Sequence, residues 1–231
     1  MSEKKQYRQA RFIRPQGATE LILVRHGESR AASEDSPFPL LNGQGDPELS
    51  AEGQQQAQHL AARLAKQPID AVYVTNLRRT HETAAPLCEL NGFTPKVIAD
   101  LREIHLGDWE GGLFRIKSHE GHPQALAMQQ QQEWGAIPGA ETNAQLHTRV
   151  QRGLSEIVSA HPDQIVMLVV HGGVIGSILA AATGSQPFAF LGADNASISH
   201  VVAHEGRMVL RRFNDTNHLS AHIGAELSMP T

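Results

Sequence analysis

Two continuous apolar runs, Leu21-Ile22-Leu23-Val24 and Ile165-Val166-Met167-Leu168-Val169-Val170, stand out from a chain that elsewhere alternates amphipathic stretches with polar loops. Runs of this kind, each closed by glycine and the second followed by a helical pattern, predict strands buried on both faces, as in a parallel sheet. Ser50 has the chemistry of a helix N-cap, with Glu52 in the first turn. It predicts a helix to about Lys66 with Ala57, Leu60, Ala61 and Leu64 as the buried stripe. Residues 70–75 read as a short strand, 79–90 as a helix and 96–99 as a further strand. Residues 111–139, with the run Gln129-Gln130-Gln131-Gln132 after Leu126 and Met128, predict an excursion with helical content above the sheet. Leu146, Val150, Leu154, Ile157 and Val158 predict another amphipathic helix. A helix over 174–182, closed by Gly184, follows the second apolar run, and 197–203 with 208–213 form a hairpin across Glu205-Gly206. Strands alternating with helices place the chain in the α/β class: a three-layer α/β/α sandwich with a mostly parallel central sheet.

Length and charge narrow the picture. At 231 residues and 40% apolar content, the chain can bury one substantial core, so residues 1–231 read as a single domain. Residues 1–18 form an N-terminal arm and 214–231 a C-terminal tail. A net charge of -4 gives no general polyanion-binding signature, so no nucleic-acid partner is expected. The lone cysteine, Cys88, excludes an intrachain disulfide. No run approaches the roughly 20 apolar residues that span a bilayer, and the charged start Met1-Ser2-Glu3-Lys4-Lys5 lacks a signal-peptide core. A cytoplasmic protein without a membrane partner is the expectation. The exposed edge of the terminal hairpin suggests a homo-oligomer.

Both apolar runs deliver a histidine and a glycine. The first ends in Arg25-His26-Gly27, the second in His171-Gly172-Gly173. Ligands of open α/β sheets collect beyond the carboxyl ends of the strands, so two histidines leaving two such strands can face one pocket. An imidazole can attack phosphorus, an arginine fork matches phosphate oxygens, and glycine admits close approach to the backbone. A polar strand end is the plainer reading of either triplet alone. Arg78 and Arg79 stand where a strand passes into a helix, a position favourable to anions. For Arg78 a solvated helix start is the preferred reading. The segment Leu101-Arg102-Glu103-Ile104-His105-Leu106-Gly107-Asp108-Trp109-Glu110-Gly111 suits a pocket wall or an irregular connection.

In this order the motifs make the chain resemble the histidine phosphatase superfamily, with its phosphoglycerate-mutase-like fold, from about Glu20 to Phe213. Arg25-His26-Gly27 matches the nucleophile motif, and Asp46 to Gly53 matches the segment D-x-x-L-S-x-x-G. Leu77-Arg78-Arg79-Thr80 puts the second phosphate arginine at Arg79. Leu101-Arg102-Glu103 with Gly107 and Trp109-Glu110-Gly111 matches the acid motif, and His171-Gly172 the second histidine. The resemblance implies a phosphomonoesterase of the phosphatase branch acting on a small phosphate ester. His26 becomes phosphorylated, Arg25, Arg79 and His171 hold the phosphoryl group, and Glu103 serves as proton donor and then as base. Gly27 and Gly172 join the phosphate-binding set. No cofactor and no metal is implied, and the 13 histidines include no paired ligand spacing such as H-E-x-x-H.

The chain departs from the family pattern at Ala32, where an asparagine often stands six residues after the nucleophile. Asn42 and Gln44, in a loop longer than usual, are the candidates to replace its contact. Pro138-Gly139-Ala140-Glu141-Thr142 resembles a segment of the phosphatase branches and makes Glu141 a candidate pocket residue, with a helix-start acid as the alternative. A bisphosphoglycerate-dependent phosphoglycerate mutase is the second reading. Against it, the interval from Glu103 to His171 is short, and residues 112–134 supply only Arg115 and Lys117 as a basic cluster. A non-catalytic phospholigand scaffold is the third.

Overall fold

The computed structural model describes residues 8–219, so the first part of the arm and the tail beyond Leu219 lie outside the described residues. The elements in chain order are β1 (Thr19–Arg25), β2 (Leu40–Leu41), β3 (Gln44–Gly45), α1 (Ala51–Leu64), β4 (Ala71–Val74), α2 (Arg78–Asn91) and β5 (Lys96–Val97). They continue with α3 (Leu113–His119), α4 (Pro123–Gln131), α5 (Asn143–Ala160), β6 (Ile165–Val170), α6 (Gly172–Thr183), β7 (Ile198–His204) and β8 (Arg207–Asp215). The main sheet runs β5-β4-β6-β1-β7-β8. Its first four strands are parallel, and the terminal hairpin adds two antiparallel ones. The mostly parallel α/β architecture expected from the two apolar runs is present.

Alternation along the central strands builds both cores. In β6, Val166, Leu168 and Val170 enter the cluster formed with α4, α5 and α6, while Met167 and Val169 enter the one formed with α1 and α2. β1 does the same, sending Leu21 and Leu23 to the first cluster and Val24 to the second. Both strands are therefore apolar along nearly their whole length, because neither has a solvent face.

Local signals account for most boundaries. Ser50 caps α1 by accepting the Gly53 amide at 3.1 Å, as its sequence position predicts. α5 opens on a reciprocal capping box between Thr142 and Gln145. Gly92 and Gly184 close α2 and α6 in the left-handed conformation. Glu205 and Gly206 both take positive φ, the geometry of a two-residue hairpin turn. Residues 29–48, read as a loop, carry the small ribbon β2–β3 and a bridge between Ser29 and Leu49 that closes the excursion at its base. α6 starts at Gly172, two residues before the expected point, with His171 as its N-cap, and β5 is shorter than the predicted strand. The described part of the arm lies along the hairpin: the Arg211 guanidinium sits 4.0 Å from the Phe12 ring centre, and Arg14 pairs with Glu20 at 3.2 Å. No helix among the described residues is long and apolar enough to cross a membrane.

Candidate active site

The register of β1 against β6 places the two histidines. Arg25 lies opposite Val170, so the next residue on each parallel strand, His26 and His171, leaves the sheet at the same level. Their rings are 5.1 Å apart, inclined by 62°. Both side chains are buried at the carboxyl edge of the sheet, where strand order predicts a ligand site.

The strand end that carries His26 is clamped from three sides. The His26 amide donates to Val170 O at 3.0 Å, Asn195 Nδ2 donates to His26 O at 2.9 Å, and the Gly27 amide donates to Thr83 Oγ1 of α2 at 2.9 Å. A side chain at Gly27 would meet Gly53 O at 2.6 Å, so this glycine is needed for the close approach of α1. The His26 ring is also fixed. Nδ1 lies 2.7 Å from Gly27 O, a carbonyl that only accepts, so Nδ1 carries the proton and Nε2 presents its lone pair. Arg79 Nε donates to that lone pair at 3.2 Å.

His171 is oriented in the same manner. Its Nε2 lies 3.0 Å from Thr75 Oγ1, a hydroxyl that also accepts from the Leu77 amide and lies 3.2 Å from Thr80 Oγ1. Its Nδ1 is buried and has no protein partner among the described residues. Burial, then Arg79, holds both imidazoles well below their usual range, with Arg25 contributing at each ring and the neighbouring His26 at His171. Neutral rings in the fold and ordinary imidazoles in the unfolded chain fix the sign of a pH effect. The stability they give is present above about pH 6.5 and is lost as pH falls below it, because the unfolded state takes up protons first. The urea midpoint is therefore expected to fall between pH 7.5 and 5.5. His171→Asn should show a smaller fall, and an equal fall would remove this cause.

Three guanidinium groups surround the histidines. Arg25 Nη1 is tied to Ala193 O at 2.6 Å. Arg79, buried at the start of α2, reaches Gly45 O at 2.9 Å, and burial brings it down to about 10, opposed by Glu103 and reinforced by Arg115. Arg115 of α3 donates to Ser29 Oγ at 2.7 Å and Arg30 O at 3.0 Å and is stacked 5.2 Å from the Phe38 ring centre. The bonds that Arg79 and Arg115 make to Gly45, Arg30 and Ser29 go to neutral oxygens, which leave the charges of these two groups available to an anion. Arg78 is exposed and pairs with Glu48 and Glu82, in keeping with a solvated helix start.

Glu103 faces the same space. Its Oε1 accepts from the Ile104 amide at 2.9 Å, and its Oε2 lies 3.4 Å from the Gly173 amide at the start of α6. Arg25, His26, Gln44, Arg79, Glu103, Arg115 and Gly172 all line one pocket of about 410 Å³. Gln44 contributes by holding Glu103 O through Nε2 at 2.8 Å. Among the described residues no group of three His, Cys, Asp or Glu side chains is arranged to hold a metal ion.

Two candidates fall outside. Asn42 is an exposed turn residue of the β2–β3 ribbon with φ 50° and does not line the pocket, so it does not replace the asparagine missing at Ala32. Glu141 is turned away from the pocket and forms a buried bidentate pair with Arg149, at 2.6 and 2.7 Å. His105 bonds the Gly107 amide in its own loop, and His218 meets Ala196 O, so neither reaches the site. Reading the sequence missed Arg115 as a site cation, the wall formed by residues 186–192, and Arg149. Arg149 had a signal: a charge set within the apolar stripe of Leu146 and Val150.

The model of the histidine phosphatase superfamily, branch 1, matches residues 21–216. The chain belongs to that superfamily. Among this family's members, phosphoserine phosphatase 1 of Hydrogenobacter thermophilus is 33% identical to the chain, over 87% of the chain and 94% of that protein. The metal-independent phosphoserine phosphatase of Arabidopsis thaliana is 32% identical, over 88% and 84%. The solved structure of mycobacterial glucosyl-3-phosphoglycerate phosphatase superposes with a TM-score of 0.69 at 28% identity, covering 86% of this chain and all of that one. In this histidine phosphatase, His26, Arg79 and Glu103 line the described pocket, and His171 stands beside His26.

Proposed function

We propose that the protein is a metal-independent phosphomonoesterase that hydrolyses a small phosphorylated metabolite through a phosphohistidine on His26. One observation carries this reading: His26 Nε2 is held unprotonated by the Nδ1–Gly27 bond and directed among guanidinium groups. In the first step Nε2 attacks phosphorus, the bond to the ester oxygen breaks, and Glu103 gives that oxygen its proton. Arg25, Arg79, Arg115 and His171 take the equatorial oxygens, whose charge is what such a site must stabilise. In the second step Glu103 accepts a proton from water, which attacks the phosphohistidine and releases inorganic phosphate. Arg115, standing on the Ser29–Arg30 turn, takes over the contact that Ala32 cannot make. The similarity to phosphoserine phosphatases supports hydrolysis.

Phosphate release from a panel of monoesters in the presence of EDTA tests the reading. The panel includes 3-phosphoglycerate with and without 2,3-bisphosphoglycerate. Release that survives EDTA is the expected result; isomerisation of 3-phosphoglycerate without net release would establish a mutase instead.

Gly173→Ala gives a sharper check on Glu103. A Cβ there would stand 2.7 Å from Glu103 Oε1, the free end of a flexible side chain, so the carboxylate moves and the helix does not. Alanine also favours the helix by roughly 1 kcal/mol. Thermal stability is expected to hold while kcat falls by about 10²-fold, the lower range for a lost general acid. Unchanged kcat would take the proton transfer away from Glu103.

A further inference from the structure

Beyond the phosphate end, the pocket changes character. Its wall is Phe38, Trp109, Phe114, Trp134, Phe188 and Leu191. Three ring contacts make this a continuous aromatic surface: Trp109–Phe114 at 6.4 Å, Phe114–Trp134 at 5.8 Å and Trp134–Phe188 at 5.1 Å between centres. Among the described residues the only acids that line the pocket are Glu103, at the phosphate end, and Glu110. Both oxygens of Glu110 are occupied, by the amides of Gly45 at 2.7 Å and Leu106 at 2.8 Å. The lining arginines are the three that surround the histidines. Neutral amides, Gln129, Gln132 and Gln186, with Gln44 at the phosphate end, are the remaining long polar side chains among the described residues, and Gln132 is partly committed to the Phe188 amide at 3.2 Å.

We propose that this wall receives an uncharged aromatic or heteroaromatic group, so that the substrate is a phosphomonoester of an alcohol carrying a flat ring. The proposal rests on the phosphomonoesterase reading and specifies its substrate class. The chemistry of the wall excludes the other classes in turn. An amino-acid leaving group brings an ammonium, and the wall offers no uncommitted carboxylate to receive it; burying a charge without a partner is strongly unfavourable. A leaving group with its own carboxylate competes with the phosphoryl group for the same arginines. A sugar brings several hydroxyls to a surface of ring faces, where each loses its water without a replacement bond. A ring gains from stacking and burial, and one or two heteroatoms on it find the glutamine amides.

The test compares kcat/KM for 2-phenylethyl phosphate, ethyl phosphate, O-phosphoserine, 3-phosphoglycerate, glucose 6-phosphate, ribose 5-phosphate and adenosine 5′-monophosphate. These are all alkyl esters, so leaving-group reactivity varies little. 2-Phenylethyl phosphate is expected to exceed ethyl phosphate by about 10- to 100-fold, the yield of burying one phenyl group. The adenosine ester should exceed ribose 5-phosphate in the same sense. In Phe188→Ala the phenylethyl-to-ethyl ratio should drop about tenfold, chiefly through KM; a ratio is insensitive to the fraction of variant that folds. Phosphoserine, phosphoglycerate or glucose 6-phosphate turned over as well as the aromatic esters would overturn the proposal and leave the phosphatase reading standing. A ratio unmoved by Phe188→Ala would overturn it too. No release from any ester would strike down the phosphatase reading and this proposal with it.

Discussion

His26→Ala is expected to abolish phosphate release, with kcat falling roughly a millionfold as for other nucleophile removals. In the proposed mechanism the side chain supplies the lone pair that attacks phosphorus, and no other group of the described pocket takes that role. His171 has its Nε2 engaged with Thr75. Glu103 is spread over two backbone amides. Arg79, relieved of its bond to Nε2, stays in place through Gly45 O and keeps its charge. Binding should therefore survive the loss of chemistry. The variant is expected to bind inorganic phosphate, by titration calorimetry, within about tenfold of the parent affinity, and to yield no labelled phosphoenzyme after acid-sparing quench. Turnover within tenfold of the parent would place the nucleophile elsewhere.

Arg149→Met is expected to have the largest effect on stability. The guanidinium is almost completely buried and bonds both Glu141 oxygens, together with Asp100 O at 2.9 Å, Arg102 O at 2.7 Å and Glu103 O at 2.9 Å. Its removal strands a carboxylate and the carbonyls of Asp100 and Arg102 at once, while Glu103 O keeps Gln44. Breaking one side of a buried pair costs about 3–5 kcal/mol, and for a chain of this size that lowers Tm by roughly 6–20 °C. Arg149→Met with Glu141→Leu should regain part of the loss, because the stranded carboxylate is then gone. The same bonds hold the backbone of Glu103, the proposed proton donor, from α5, with Gln44 gripping the same carbonyl from the ribbon. kcat is thus expected to fall more than KM rises, even well below the melting range. A variant equally active per folded molecule would reduce Arg149 to a structural role.

The sequence carries the central architecture and the catalytic centre for the same physical reason. A strand buried on both faces must be apolar throughout, so β1 and β6 announce themselves. The polar residues that end them, Arg25-His26 and His171, are conspicuous by contrast. Arg79 and Glu103 were legible through their order in the chain relative to these strands. The far side of the pocket was not. Phe188 and Leu191 lie between α6 and β7 in a stretch with no period, and nothing local distinguishes an apolar loop residue that lines a pocket from one that packs. Arg115 was visible only as an isolated cation, because its significance depends on the 29–30 turn folding over it. Asn42 misled for a related reason: asparagine suits a polar contact, yet it also tolerates the left-handed turn conformation it adopts here. Glu141 offered two chemically equal roles, and the partner that decides between them, Arg149, lies a full two helical turns further on.

The parallel pairing of β1 with β6 also governs how the chain can be made. β1 leaves the ribosome well before its neighbours in the sheet, which begin only at Ile165 and Ile198. Until then Leu21, Leu23 and Val24 have no partner strand on either side. The helices α1 and α2 and the strand β4 can assemble locally, but the sheet cannot be completed before most of the chain has been synthesised. Non-local pairing of this kind slows folding and prolongs exposure of apolar strand edges. Vectorial synthesis therefore keeps the strand that ends in Arg25 and His26 waiting until Ile165 and the residues after it have been made.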